Sequence, residues 1–345
     1  METVILRNKS KREKGNNVSH VGICGHFGGK QECFDGQTIK TKILFSELRK
    51  VLGENEVLAV DTHNWRKAPY KLLTSCVDLI KHSDNIIMLP AQNGIKIFAP
   101  LFAILNRLYK KKIHYVVIGG WLPEFVNDRK CLLKYLTLFD NIFVETKTMQ
   151  NNLSLFGLNN VSILPNFKQL RVLEKDELVF DHSEPYKLCT FSRIMEEKGI
   201  GDAINAVIQI NESKKKTVCS LDIYGKIDVK YEAIFQELLK TSPSYISYKG
   251  IVPFDCSVEV LKNYFMMLFP TRFKTEGIPG SIIDSYSAGV PIIASKWNSF
   301  NDVIQEGVTG VGFEFGNFDR FVSKLNWCID NPKRIQGMKF ACTKV

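Results

Sequence analysis

Short apolar, β-rich runs alternate with longer segments of helical apolar spacing along nearly the whole chain. In the first half the runs predict strands near Ser19–Cys24, Val57–Asp61, Asn85–Leu89, His114–Ile118, Asn141–Val144 and Val161–Leu164. The clearest helix runs from about Gln37 to Val51, where Ile39, Ile43, Leu44 and Leu48 fall at helical spacing. The second half restarts the pattern, with strands expected at Leu188–Ser192, Ser220–Tyr224, Tyr245–Tyr248, Phe265–Phe269, Pro291–Ala294 and Val311–Phe313. Apolar strands alternating with amphipathic segments imply parallel sheets covered by helices. No literal repeat accompanies the likeness of the halves. Gln169 to Glu184 is charged and weakly periodic, and it follows Leu164-Pro165-Asn166-Phe167. The linker is expected there, between domains 1–170 and 171–345. Ligands of open parallel sheets bind beyond the carboxyl ends of the strands, so two such domains facing each other imply a cleft between them.

Composition narrows the class. The 345 residues give each half enough chain for its own core, and 45% apolar with 24% charged residues is ordinary for a globular protein. Nine cysteines without a C-x-x-C pair suggest neither a zinc site nor a disulfide framework, and fit reduced thiols in a cytoplasmic protein. The polar opening, Lys9-Ser10-Lys11-Arg12-Glu13-Lys14, is not a signal peptide. The most apolar stretch, Ile95 to Leu105, is about half of the ~20 residues a membrane span needs, and it contains Lys96 and Pro100.

Charge is uneven. Residues 1–170 hold 24 Lys/Arg against 14 Asp/Glu, whereas residues 171–345 hold 22 of each, so the whole net charge of +10 lies in the first half. A basic half implies an anionic partner: nucleic acid, an anionic membrane surface or a phosphorylated acceptor. Nucleic acid is disfavoured, because no zinc-finger or RNA-recognition signature appears and Lys110-Lys111-Lys112 reads as a solvated helix end.

Three elements carry candidate chemistry. The first is Glu276 to Pro291, EGIPGSIIDSYSAGVP, after an apolar strand. Pro279 suits the first helical position, and Gly289 with Pro291 suits a helix stop. Ile282, Ile283 and Tyr286 share a face, which leaves Asp284 off it. The amides around Gly277, Ile278, Gly280 and Ser281 form an anion site at a helix N-terminus, flanked by two hydroxyl-accepting carboxylates. The second element, Gly25-His26-Phe27-Gly28-Gly29, follows the first strand, and its glycines let backbone approach a phosphate or sugar. In the third, Ser192-Arg193-Ile194-Met195-Glu196-Glu197-Lys198-Gly199, Arg193 and Lys198 can converge on a diphosphate. Plainer readings stand beside each: a surface βα unit with capping acids, an ordinary strand-to-helix turn, and a loop whose Arg193 and Lys198 pair with Glu196 and Glu197. No Asp-x-Asp occurs, so a carboxylate metal site is not expected. His26, beside the glycine loop, is the histidine of interest, and Trp121, at a strand end, can stack on a sugar or simply pack.

Together these pieces resemble the retaining glycosyltransferases of family 4, whose GT-B fold faces two Rossmann-like α/β domains across a cleft. The resemblance covers nearly the whole chain. It is carried by Gly28-Gly29, Leu164-Pro165-Asn166, Ser192-Arg193, Glu196-Glu197-Lys198-Gly199, Tyr224-Gly225, and Glu276-Gly277-x-Pro279 through Asp284 to Ala288-Gly289-x-Pro291. It implies that Arg193 and Lys198 hold the donor diphosphate and that Glu276 contacts donor sugar hydroxyls near the Gly277 to Gly280 amides. Gly28, Gly29 and Gly225 are implied on the donor side, with His26 and Trp121 towards the acceptor. Asp284 stands where the family usually has Glu for a ribose contact, and its arm is one methylene shorter.

The implied activity is metal-independent transfer of a sugar from a nucleotide-diphosphate donor to a lipid-linked or oligosaccharide acceptor in surface-polysaccharide synthesis. No cofactor is implied. The implied place is the cytoplasmic face of the cell membrane, held there peripherally. A GT-B epimerase and a non-catalytic sugar-nucleotide-binding protein are the rival readings; relatives commonly continue past the position of Val345 into a helix that returns to the first domain.

Overall fold

The computed structural model describes residues 20–29, 36–180 and 183–345; the Lys9 to Lys14 run and Ser19 lie outside them. The chain divides into two compact units, residues 1–168 and 169–345.

The first unit is built as β1 (Val21–Gly25), α1 (Gly36–Leu52), β2 (Val57–Asp61), α2 (Pro69–His82), β3 (Asn85–Met88) and α3 (Gln92–Tyr109). It continues with β4 (Lys112–Val116), α4 (Leu122–Asn127), α5 (Lys130–Leu136), β5 (Asn141–Val144), α6 (Lys147–Leu155) and β6 (Val161–Ile163). The six strands form one parallel sheet in the order β2-β1-β3-β4-β5-β6. One core holds Ile86, Met88, Phe98, Phe102, Ile113 and Tyr115. A second holds Val21, Ile23, Val57, Leu89 and Val116, with Leu44 and Leu48 of α1 against it. Burying each such side chain is worth about 1.5–3 kcal/mol, which is why these short strands persist. On α1 the apolar Ile39, Ile43, Leu44, Phe45 and Leu48 are half-buried, and the fully buried residues are the polar Thr38, Lys40 and Thr41. The start of that helix packs on polar loops at the carboxyl edge of the sheet rather than on the core.

The second unit runs β7 (Tyr186–Phe191), α7 (Ile200–Lys214), β8 (Cys219–Tyr224), α8 (Glu232–Thr241), β9 (Ile246–Gly250), α9 (Ser257–Leu261) and β10 (Met266–Phe269). Then come α10 (Gly280–Ser287), β11 (Ile292–Ser295), α11 (Phe300–Val303), β12 (Gly310–Phe313), α12 (Phe318–Asp330) and α13 (Pro332–Cys342). Its parallel sheet has the order β9-β8-β7-β10-β11-β12. Chain direction across the sheet reverses between β7 and β10 here, and between β1 and β3 in the first unit. Such switch points leave a crevice beyond the carboxyl ends of two neighbouring strands.

The expected linker is anchored to the second unit. Leu173 and Leu178 are buried in the core that holds Cys189, Met267 and Ile292, and the Leu173 N–H donates to Ser287 O at 2.9 Å. Two well-spaced leucines suffice to anchor a charged segment that has no amphipathic period.

The last helix packs on α10 and α12. It buries Lys339, 1% exposed, whose Nζ donates to Tyr264 O at 3.1 Å and Gly289 O at 3.4 Å. Burial pushes this lysine down from 10.5 to about 8. Among the described residues no helix is long and apolar enough to cross a membrane.

The lysine gives a pH signature. Between about pH 8 and 10.5 the unfolded chain keeps a proton that the folded chain has released, so this group makes stability rise with pH in that window. Buried Cys219, Cys328 and Cys342, each pushed up to about 12, act oppositely: the stability they confer below pH 9 is lost as pH climbs. The comparison is therefore wild type against Lys339→Met by urea unfolding across pH 7 to 10.5. The difference should move in favour of wild type by on the order of 3 kcal/mol, over a constant offset from the two carbonyls left without a donor. A pH-independent difference would show that Lys339 titrates as an ordinary lysine.

Candidate functional site

The switch point of the second unit is where the loops after β7, β8 and β10 meet. Ile194 N–H donates to Lys226 O and Asp228 N–H donates to Ile194 O, both at 2.9 Å, which lays the loop after β7 along the loop after β8. Two glycines permit the crowding. Gly225 has φ 140°, and a Cβ there would sit 1.8 Å from Ser192 O; Gly199 has φ 68°, and its Cβ would sit 2.0 Å from Pro270 O. No side chain fits at either position.

At that junction Lys198 Nζ donates to Glu276 Oε1, which also accepts from Thr271 Oγ1 at 3.1 Å. The two charged side chains are only 16% and 15% exposed. The ammonium lies 5.5 and 5.1 Å from the ring centroids of Phe269 and Phe273, so aromatic faces contribute to holding it. Glu196 and Glu197 do not neutralise this cation. The Glu197 carbonyl accepts from the Arg272 N–H at 2.7 Å, and the Arg272 guanidinium is bidentate on Asp202 (3.0 and 2.7 Å) with Glu196 at 3.6 Å. Arg193 is half exposed, its nearest carboxylate oxygen 3.9 Å away on Asp228. Two cations thus flank the loop, one tightly partnered and one nearly open.

Directly after Glu276 come Gly277, Ile278 and the N-cap residue Pro279 of α10. That helix start has no side-chain cap and no acid in its first turn, so its amide dipoles are uncompensated by a carboxylate there. Asp284 departs from expectation. It is 1% exposed, and Ser257 Oγ donates to its Oδ1 at 2.9 Å. The helix is covered by α9 as well as by the core on its apolar face, so the side expected to be open is closed.

In the first unit a second set of loops converges. Asp61, ending β2, accepts from the N–H groups of Phe27, Gly29 and His63 at 2.9, 2.9 and 2.8 Å. The Gly29 amide is therefore engaged by Asp61 and is not presented to a phosphate, which corrects the reading of this glycine as an amide donor. His26 Nδ1 lies 2.8 Å from Thr38 Oγ1, and its Nε2 lies 3.1 Å from Nδ1 of His63, whose Nε2 is 2.6 Å from Asn64 Nδ2. Fully buried Lys40 bonds Glu145 Oε1 at 2.9 Å, and the Gly119 N–H donates to the same oxygen at 3.1 Å. Trp121 donates its Nε1–H to Ile118 O at 2.8 Å and meets Phe125 edge-on, so its indole is fixed by its own turn.

The sequence singles out His26, Gly28, Gly29, Trp121, Arg193, Lys198, Gly225 and the Glu276–Asp284 segment, and it does not single out Lys40, Asp61, His63, Glu145 and Thr271, which the structure brings beside them. A strand ending on an acid, as in Val57–Asp61 or Asn141–Glu145, is the signal that was available. Among the described residues no group of three His, Cys, Asp or Glu side chains is placed to hold a metal ion.

Comparison with known proteins places this geometry. Residues 185–331 match the family described as Glycosyl transferases group 1. Over 232 residues the chain is 22% identical to an uncharacterized glycosyltransferase of Methanocaldococcus jannaschii, covering 61% of this chain and 57% of that relative. The matched chain thus spans little more than half of that relative's length. Among solved structures, Anabaena HepE in complex with UDP and glucose superposes with a TM-score of 0.69 at 13% identity, covering 94% of this chain and 95% of that one. Sucrose-phosphate synthase from Thermosynechococcus elongatus gives 0.72 at 12% identity, with 94% and 93% covered. The fold is GT-B, and the second unit is similar to the glycosyl transferases group 1 family over residues 185–331.

The crowding at Gly225 is directly checkable. Gly225→Ala drives a methyl into the Ser192 carbonyl at a backbone angle alanine avoids, and should lower urea-unfolding stability by about 2–4 kcal/mol. The control is Gly337→Ala in α13, where nothing lies within 4 Å of the added carbon. It should be neutral or raise stability by up to about 1 kcal/mol. Equal effects of the two substitutions would remove the close approach as an explanation.

Proposed function

We propose that the chain is a retaining glycosyltransferase that moves a sugar from a nucleoside-diphosphate donor to a lipid-linked saccharide acceptor. The observation that carries this is the meeting of Lys198, Glu276 and the amide end of α10 at the carboxyl edge of the second sheet. The crystal complex of HepE with UDP and glucose supports the donor class, since that protein shares the fold.

In this reading the donor diphosphate lies against Lys198, Arg193 and the amides of Gly277, Ile278, Gly280 and Ser281. Glu276 turns from Lys198 to the hydroxyls of the donor sugar. As the bond from C1 to the phosphate oxygen breaks, negative charge grows on the leaving diphosphate, where the cations and amides stabilise it. The acceptor oxygen bonds to C1 on the same face, and its proton passes to the leaving phosphate oxygen, so no separate general base is required. The positive charge is supplied by side chains and backbone, and the proposed reaction needs no divalent metal and no cofactor. Asp284 bonds Ser257, and a ribose contact through it would run by way of that pair or a water. His26 and Trp121 are assigned to the acceptor side. The basic excess of residues 1–170 supports peripheral attachment to an anionic membrane surface on the cytoplasmic side, where a lipid-linked acceptor is presented.

A thermal-shift screen against uridine, guanosine and adenosine diphosphate sugars identifies the donor, since a bound ligand raises the melting temperature by mass action. With that donor, Lys198→Ala and Arg193→Ala should each lower turnover by roughly 30- to 1,000-fold, about 2–4 kcal/mol, with a smaller loss in donor binding. Near-wild-type turnover of Lys198→Ala at saturating donor would remove its role. Transfer should persist in chelator; activity lost in chelator and restored by manganese would overturn the metal-free reading.

A further inference from the structure

Helix α3 carries an apolar stripe on its outside. Ile97, Leu101, Ile104 and Leu108 recur at spacings of four, three and four, which at 100° per residue confines them to about 60° of the helix surface. Ile97 is 47%, Ile104 55% and Leu108 77% exposed, so three of the four lie outside the core formed by Ile95, Phe98, Ala99 and Phe102 on the opposite side. An amphipathic helix normally points such a row inward; here the helix has two apolar faces.

The border of the stripe is basic. Residues 92–112 contain five Lys/Arg and no Asp or Glu. Lys96, Pro100 and Arg107 line the flank of α3 that faces α5, itself carrying Lys130 and Lys134 without an acid. Between the two helices lies a cavity of ≈ 700 Å³ lined by Lys96, Pro100, Arg129, Lys130, Leu132 and Tyr135, among others. Lys96 and Arg129 both sit against the Phe125 ring, 5.4 and 4.0 Å from its centroid, so one aromatic ring gathers two of the cations that line the cavity. Asp128 is the one acid lining it, and its Oδ1 accepts from Asn127 Nδ2 at 3.2 Å.

A row of exposed aliphatic side chains beside a basic recess matches the boundary between acyl chains and anionic headgroups. We propose that the α3–α5 face is the membrane seat of this protein, with the Ile97 to Leu108 stripe in the acyl boundary and a lipid phosphate at Lys96, Arg129 and Lys130. The proposal rests on the membrane-surface reading above and names its face. A protein partner or a second copy would use the same aliphatic row, but neither accounts for a stretch of 21 residues without an acid.

The experiment is co-sedimentation of the full chain with vesicles of phosphatidylcholine alone and of phosphatidylcholine mixed with phosphatidylglycerol, alongside sedimentation velocity without lipid. Wild type should bind the anionic vesicles and not the neutral ones. Ile104→Ser with Leu108→Ser, and separately Lys96→Glu with Lys130→Glu, should each weaken that binding roughly tenfold or more. Both variants should keep the wild-type melting temperature, because the replaced side chains are largely exposed. Unchanged vesicle binding in either variant, or a wild-type dimer that the serine variant converts to monomer without any lipid binding, would overturn the proposal. Nucleotide-sugar binding by thermal shift, measured on the same variants, keeps the two readings apart. Lost vesicle binding with intact donor binding is the expected outcome, whereas absence of donor binding in wild type would count against sugar transfer and leave the membrane seat standing.

Discussion

One ion pair organises the second unit. Lys198 and Glu276 stand 78 residues apart in sequence, yet the strands preceding them, β7 and β10, are neighbours in the sheet. Their bond pins together two loops that would otherwise splay around the switch point. Thr271 shares the carboxylate, Arg272 ties the same loop to Asp202 on α7, and Gly199 and Gly225 give up their side chains so that the backbones can touch. A mostly buried ion pair returns little stability once desolvation is counted. Held at the carboxyl edge of a sheet, beside an uncapped helix start, it is, in the proposed function, a cation and an acceptor kept ready for a ligand.

The first unit uses carboxylates differently. Asp61 is occupied by three backbone amides, and Glu145 by buried Lys40 and the Gly119 amide. These acids shape loops and leave little capacity for anything else. The nearby imidazoles of His26 and His63 are engaged as well, joined to each other and to Thr38 and Asn64. The same architecture, repeated twice, therefore presents carboxylates bonded to backbone amides and a buried lysine in one unit and a Lys198–Glu276 ion pair in the other.

Much of this was legible before the fold was seen, for a physical reason. Strands of a parallel sheet are covered by helices, so they tend to appear as apolar-rich runs, and the twelve strands among the described residues overlap such runs. Val57–Asp61 and Asn141–Val144 match to the residue because an acid closes each run. The order of the strands was not legible, since nothing in an apolar run says which neighbour it pairs with. Long-range partners were hidden for the same reason: Lys40 and Glu145 are 105 residues apart, and neither carries a local sign of the other. Asp284 misled because helical spacing describes one face of α10, while the cover over its other side comes from α9 and Ser257. The linker's anchoring was hidden too, since Leu173 and Leu178 fix a segment with no periodicity to read.

The central claim is that the Lys198–Glu276 junction receives a diphosphate. The most direct measurement is a crystal structure of the protein with a bound nucleoside diphosphate. The account predicts β-phosphate oxygens at about 2.7–3.2 Å from Lys198 Nζ and from amides at the start of α10, with Glu276 released from the lysine. A nucleotide seated elsewhere, with the Lys198–Glu276 bond intact, would contradict it.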